Sequence, residues 1–444
     1  MLFSSLEFIF LFLPLTVGIY FALPSRFRNS WLLVSGLCFY GFSEPRYLPL
    51  MLLTILADLG FGLWIRRVSG NKKIGRIVLA VAVGYNIGQL ALFKYFDPLK
   101  MGLPVGISFY TFQALSYVID VYRGEVRATG SLVTFGAYVS LFPQLIAGPI
   151  VRYADVEREL WHREHRISDI ADGLRTFCAG LAKKVMLANS AGQMWESLGG
   201  SGYFADTLLA VFFFAMQIYF DFSGYSDMAL GLGRVFGFRF PQNFNYPYIS
   251  KSITEFWRRW HITLSSWFRE YVYIPLGGNR GGRLKTYRNL LIVWALTGIW
   301  HGAEVNFLLW GLYFALILII EKAFLGRLLE RIPRPLRHFY ALAFIGLGWV
   351  IFASDKSVEG FSALTLIGVG AKGVASSGFL YDLLRNLPFM AIMTVGATPL
   401  PKRVYLKIKK RFASIDIILP LAAFLCSLAY IVGSGYDPFL YFRF

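Results

Sequence analysis

The sequence predicts an all-helical, polytopic membrane protein, and three observations carry that reading. Apolar residues make up 56% of the 444-residue chain and aromatic residues 18%, with a mean hydropathy of +0.53, more than a soluble core of this length requires. Runs long enough to cross a bilayer, about 17 to 25 residues each, recur along the chain. The basic residues behind the net charge of +18 gather in short connections between those runs, so the charge reports membrane orientation rather than nucleic-acid binding.

In chain order, the spanning runs fall near 5–23, 47–65, 77–95, 102–120, 204–221, 304–320, 338–354, 379–397 and 415–434. Shorter apolar runs near 30–43, 132–149, 176–190, 289–301 and 360–371 suit tilted, re-entrant or in-plane helices. The first run lacks a basic leader and a small-residue cleavage site, so it reads as a retained span. Arg66, Arg67, Lys72, Lys73 and Arg76 mark a cytoplasmic connection, while 44–46 and 94–100 are nearly neutral; Arg26 and Arg28 then lie inside and the N-terminus outside. The basic stretches 251–288, 322–337 and 402–411 are assigned to the cytoplasm, where each cation meets anionic headgroups at about 1 kcal/mol. No linker, low-complexity tract or repeat interrupts the chain, so residues 1–444 read as one integral domain and an inverted-repeat transporter is disfavoured.

Chemistry concentrates in a few places. His301, in Trp300-His301-Gly302, ends an apolar run from Leu290 to Ile299, where an ionisable group is costly and points to function. Ser252 and Glu255 read as a capping box opening a helix on which Ile253, Trp257, Trp260, His261, Leu264, Trp267, Phe268 and Tyr271 share the apolar face. His261 therefore points into the protein, as a functional group or as a core histidine bonded to a backbone carbonyl. The basic, amphipathic character places this helix at the cytoplasmic interface. Residues 275–282, with a proline and four glycines, must form a loop; it is a candidate phosphate cradle but lacks P-loop spacing.

The Asp221 to Asp227 cluster, which closes an apolar helix, fits capping or interhelical polar contacts as well as function. Phe142 to Pro149 should break a helix at membrane depth, which is tolerated only under a protein cover. Cys38, Cys178 and Cys426 read as buried, inert thiols. His162 and His165 have ligand-like spacing, but their charged setting and the lack of a third ligand favour solvated surface histidines; no metal is implied.

Taken together, Pro104 to Gln113, Gly148-Pro149-Ile150, Asp221 to Asp227, Asn243 to Tyr248, Glu255 to His261, Trp300-His301-Gly302, Met1 to Ser5 and Asp437 to Phe444 resemble the membrane-bound O-acyltransferase family, most closely its bacterial alginate O-acetylase branch. The resemblance covers essentially the whole chain. It implies a ring of tilted helices, with re-entrant and in-plane helices, around a thinned central pore, where a cytoplasmic donor funnel meets an acceptor path from outside.

It further implies that His301 is the general base toward the acceptor hydroxyl and that His261 positions the donor or relays the proton. Trp257, Arg258, Arg259, Asn279 and Arg280 are the donor-side candidates. The donor is acetyl-coenzyme A or an acyl-carrier thioester, with no bound cofactor. The partners are membrane lipid and an extracytoplasmic SGNH-type acetyltransferase that esterifies a polysaccharide, at the bacterial cytoplasmic membrane. Related branches acylate peptidoglycan or cellulose, or transfer D-alanine to teichoic acid. An acyl-group transporter or flippase, and a non-catalytic scaffold, are the readings from other classes.

Overall fold

A computed structural model describes residues 1–96, 102–354 and 370–435, and all regular structure among them is helical. Almost all of the apolar run at 360–371 and the whole Asp437–Phe444 motif lie outside the described residues. Six described helices are long and apolar enough to cross a membrane: Pro45–Arg67, Lys72–Phe96, Phe204–Val235, Val305–Leu329, Arg334–Phe352 and Ile415–Gly433. Phe8–Ala22 is a shorter apolar helix, and Phe379–Gly396 carries Pro388 inside it. The chain divides into two compact units, Met1–Leu181 with Tyr225–Gln242, and Ala182–Gly224 with Asn243–Phe444.

In the first unit, helix Ile107–Arg123 is buried without a break from Ile107 to Val118, as a helix enclosed by protein on all sides must be. Helices Pro45–Arg67 and Lys72–Phe96 are tied by hydrogen bonds from Asn86 Nδ2 to Asp58 Oδ1 (2.7 Å) and from Gln89 Nε2 to Thr54 Oγ1 (2.8 Å). Polar atoms at this depth find partners in protein because hydrocarbon offers none. The run at 132–149 breaks as expected, into Leu132–Val139, Phe142–Leu145 and an irregular stretch, and its backbone is covered by protein from Ser140 to Val151. Gly106 makes this packing possible: its φ is +75° and a Cβ there would lie 2.5 Å from the Leu145 carbonyl oxygen.

In the second unit, the pair Arg283–His301 and Val305–Ile320 forms the most extensive helix contact among the described residues. The apolar run at 289–301 is the end of a 19-residue helix, whose first turns Arg283, Lys285 and Arg288 masked in the hydropathy pattern. Three glycines allow the approach. A Cβ at Gly298 would lie 2.4 Å from the Phe307 carbonyl oxygen, one at Gly302 2.4 Å from the Phe307 ring, and one at Gly311 2.3 Å from the Trp294 carbonyl oxygen. Small residues spaced by four let helices in a membrane meet backbone to backbone.

Other expectations need correction. The Asp221–Asp227 cluster does not cap a helix, because Phe204–Val235 runs through it for 32 residues. Asp221 instead pairs with Lys184 Nζ at 2.9 Å, and that amine also donates to Asn189 Oδ1 at 2.8 Å. Such a pair is buried only because each charge has a partner. Cys38 and Cys426 are exposed and Cys178 half-buried, so the three thiols are not core residues; an apolar neighbourhood in sequence describes a lipid-facing position equally well. His165 is not a solvated surface histidine: it is half-buried, with Nε2 3.1 Å from the Tyr20 hydroxyl, whereas His162 is exposed.

Candidate active site

The continuous amphipathic helix expected from Ser252 to Tyr271 is broken at His261. Ile253–Trp257 and Ile262–Phe268 are separate helices, and His261 between them has φ 43° and ψ 53°, a left-handed conformation unfavourable for a residue with a side chain. The face pattern survived because both pieces bury their aromatic residues, yet the periodicity could not reveal the break. Ser252 does cap the first piece, accepting from Glu255 N at 3.0 Å, while the Glu255 carboxylate returns to Lys251 N rather than to Ser252.

Asn243 holds the break in place. Its Oδ1 accepts from Thr263 N (3.3 Å) and Thr263 Oγ1 (2.9 Å) and faces His261 Nδ1 at 3.1 Å, while its carbonyl accepts from Ile262 N at 2.9 Å. Because Thr263 N can only donate, the atom facing His261 is the amide oxygen, and His261 Nδ1 must carry the proton. The Nε2 lone pair is thereby left as an acceptor, buried and without a hydrogen-bond partner. The histidine is bonded to a side-chain oxygen and not to a backbone carbonyl. Its ring is 2% exposed, edge-on to Phe222 at 4.7 Å and 6.3 Å from Trp300. Burial pushes its conjugate acid down to about 3, so the ring is neutral at physiological pH.

His301 is the last residue of helix Arg283–His301, before Gly302 turns the chain extended. It is half-buried, edge-on to Trp300 (4.9 Å), Trp310 (5.0 Å) and Phe352 (5.4 Å). The glycine contacts with Val305–Ile320 therefore set its position, since they bring Trp310 against its ring. Trp300 touches both histidines and joins them in one aromatic enclosure. Aromatic walls that exclude water strengthen every electrostatic interaction inside.

The donor-side candidates divide. Arg258 lines a cavity of about 380 Å³ with Ser252, Thr254, Lys322 and Arg337, and Asn279 lines one of about 320 Å³ with Arg283, Lys322 and Arg327. Lys322 belongs to both; Glu321 and Glu330 also line the first, which is therefore of mixed charge, whereas the second carries cations and no carboxylate. Arg259 is committed elsewhere: it pairs with Glu255 at 2.9 Å and donates to the Asn245 carbonyl at 3.0 Å, bracing the break before His261. Trp257 packs against Trp294 (4.6 Å), Phe314 (4.9 Å) and Trp310 (5.5 Å), as part of the enclosure. Arg280 is exposed and lines neither cavity. The 275–282 segment is a turn, as expected, with Gly277, Gly278 and Gly282 at positive φ. Asn289 fixes it by donating to the carbonyls of Gly278 (2.9 Å) and Leu276 (3.2 Å).

Comparison with known proteins identifies the family of the chain. The family model of the membrane-bound O-acyltransferases, MBOAT, matches residues 125–352, a stretch that contains both histidines and Asn243. A probable alginate O-acetylase of Azotobacter vinelandii is 42% identical over 80% of this chain and 76% of its own length. A probable alginate O-acetylase of Pseudomonas putida is 36% identical over 100% of both chains. A peptidoglycan O-acetyltransferase of Helicobacter pylori is 34% identical over 90% of this chain and 86% of its own.

Proposed function

The chain belongs to the membrane-bound O-acyltransferase family and is an O-acyltransferase, and from that premise we propose that it moves acetyl from a cytoplasmic thioester to an extracytoplasmic acceptor at the bacterial cytoplasmic membrane. The acceptor system is cell-envelope polysaccharide, reached through an SGNH-type partner. Relatives named for alginate and peptidoglycan O-acetylation support acetyl as the group. D-alanyl transfer from a carrier protein is the alternative within the family.

The observation that carries the reading is the pairing, across Trp300, of a buried neutral imidazole with a half-buried one. The two are suited to different work. A general base is most effective when its conjugate acid titrates near the working pH. His261, pushed down to about 3, is a poor base but a well-oriented acceptor, because Asn243 fixes its Nδ1–H and leaves Nε2 facing inward. His301 then takes the proton of the acceptor hydroxyl. The hydroxyl oxygen attacks the thioester carbonyl, the carbon–sulfur bond breaks as the ester bond forms, and the proton passes to the leaving thiolate. His261 positions a donor or acceptor group through Nε2. The cavity beside Asn279, lined by Arg283, Lys322 and Arg327 and by no carboxylate, offers cations for the phosphates of acetyl-coenzyme A.

The test uses sealed membrane vesicles with labelled acetyl-coenzyme A on the cytoplasmic face, comparing wild type with His301→Ala at matched abundance. Ester-linked label on the far face in wild type only is the expected result. Equal label in both overturns the catalytic role of His301 and returns the protein to a transporter. Label only from an acyl-carrier thioester overturns the coenzyme A donor.

A further inference from the structure

Outside the histidine site, the first unit holds a basic pocket that the acyl-transfer reading does not use. It encloses about 400 Å³ and is walled by Arg26, Arg28 and Arg163 together with Ser25, Asn29 and Ser131. No carboxylate lines it, and none among the described residues forms an ion pair with any of the three arginines.

The arginines are placed, not merely present. Arg163 Nη2 donates to Asn29 Oδ1 at 2.7 Å, and Asn29 Nδ2 in turn donates to the Leu160 carbonyl at 2.8 Å, which fixes the guanidinium. Its Cζ lies 4.9 Å from the Phe238 ring centroid and 5.8 Å from that of Tyr20; Arg28 Cζ lies over the same Tyr20 ring at 5.2 Å. Two cations therefore share one phenol ring. Their polar neighbours are neutral: the Tyr20 hydroxyl interacts with both guanidinium groups, while Arg28 Nε and Arg163 Nη1 are buried with no acceptor of their own. Helix Arg28–Ser43 starts at the pocket wall with no side chain capping its first N–H groups, so the helix adds positive potential there. Burial, then the charges of Arg28 and Arg163, lower the proton affinity of His165, so that ring stays neutral and adds no further cation.

Like charges brought together in a half-buried place, with N–H groups left open, are a cost unless an anion joins them. We infer that this pocket binds a phosphate group, held by Arg28 and Arg163 with Arg26 at the rim and the Ser25 and Ser131 hydroxyls completing the shell. Phosphate suits the site better than carboxylate because three guanidinium forks and two hydroxyls offer more donors than two oxygens accept, and arginine forks match phosphate geometry. The phosphate could come from a phospholipid headgroup or from a soluble phosphate ester, so the test separates the two.

Full-length protein in detergent is followed by thermal unfolding while inorganic phosphate, short-chain phosphatidylglycerol or adenosine 3′,5′-bisphosphate is titrated, with acetate at equal ionic strength as the control. A saturable rise in Tm that acetate does not reproduce is expected. Arg28→Gln and Arg163→Gln should each weaken it about tenfold or more, and Arg163→Lys, which keeps the charge but loses the fork, by an intermediate factor. Arg26→Gln, at an exposed rim position, should weaken it less but measurably. Saturation with the lipid alone assigns a headgroup; saturation with inorganic phosphate or the nucleotide assigns a soluble ester. No saturable shift with any of the three in wild type, or an unchanged shift in Arg26→Gln and in whichever interior variant folds, overturns the site.

Discussion

His261 and His301 share the Trp300 indole as a neighbour, yet the protein holds them by opposite means. His261 sits on irregular, left-handed backbone and is oriented by hydrogen bonds that converge on Asn243. His301 closes a long regular helix and is placed by glycine-mediated packing against Val305–Ile320. The polar tether fixes a tautomer, which packing cannot do. The packed site leaves its imidazole more open, which suits a group that must exchange protons. If this contrast is right, the two histidines should respond differently to the same kinds of damage.

The largest effect is expected from the histidines themselves. His301→Ala should lower kcat by about 10²- to 10⁴-fold, the usual worth of a general base, with abundance and insertion unchanged. His261→Ala should lose less in kcat and more in KM, because a positioning group acts through how substrate sits. Steady-state kinetics on matched preparations give the split, and identical losses in both parameters for both variants would erase the distinction. Next in size is Asn243→Ala, which removes the acceptor from His261 and from two groups of Thr263. It should cost about 1 to 3 kcal/mol of stability for the stranded donors. The kinetic loss should resemble that of His261→Ala, and combining the two should add little further loss. Additivity would show that Asn243 acts elsewhere.

Gly302→Ala tests the other side of the comparison. A Cβ there meets the Phe307 ring at 2.4 Å, so the helices must part, at about 1 to 3 kcal/mol for overpacking. Activity should fall through displacement of His301 while the His261 tautomer, read from its ring nitrogen shifts by NMR, stays the same. A change of that tautomer would mean that the two supports are one.

The unequal supports also explain what the sequence disclosed. Apolar runs reported helices well, because hydrocarbon imposes length and composition on any span, and six of the expected runs correspond to helices able to cross. His301 was legible because an imidazole at the end of such a run violates the pattern. Asn243 was not, since its role depends on chain folding back eighteen residues later, and no periodicity encodes a side chain that caps a remote break. The three glycines around His301 went unread for a related reason: a close approach needs both helices, and a single sequence shows the spacing without the partner. Lys184 went unread inside the apolar run 176–190, because its partner Asp221 lies on a separate stretch of chain.

The most gradual effect is a pH dependence that only the tethered histidine should show strongly. In the unfolded chain a histidine binds its proton near pH 6.5, whereas folded His261 is held down to about 3 by burial. Between those values the unfolded state carries the extra proton, so stability rises with pH through this window. The stabilisation is present above about pH 6.5 and drains away as pH falls toward 3, at up to about 1.4 kcal/mol per pH unit. His261→Gln keeps an N–H for Asn243 but cannot titrate, so its thermal unfolding should lose that part of the slope. His165, lowered first by burial and then by the Arg28 and Arg163 charges, contributes in the same direction and should persist in the variant. Removing both with His165→Gln should flatten the acid limb further. An unaltered slope in His261→Gln would mean that the ring is hydrated in solution and that Nε2 already has a partner, which would weaken its case as a positioning acceptor more directly than any loss of activity could.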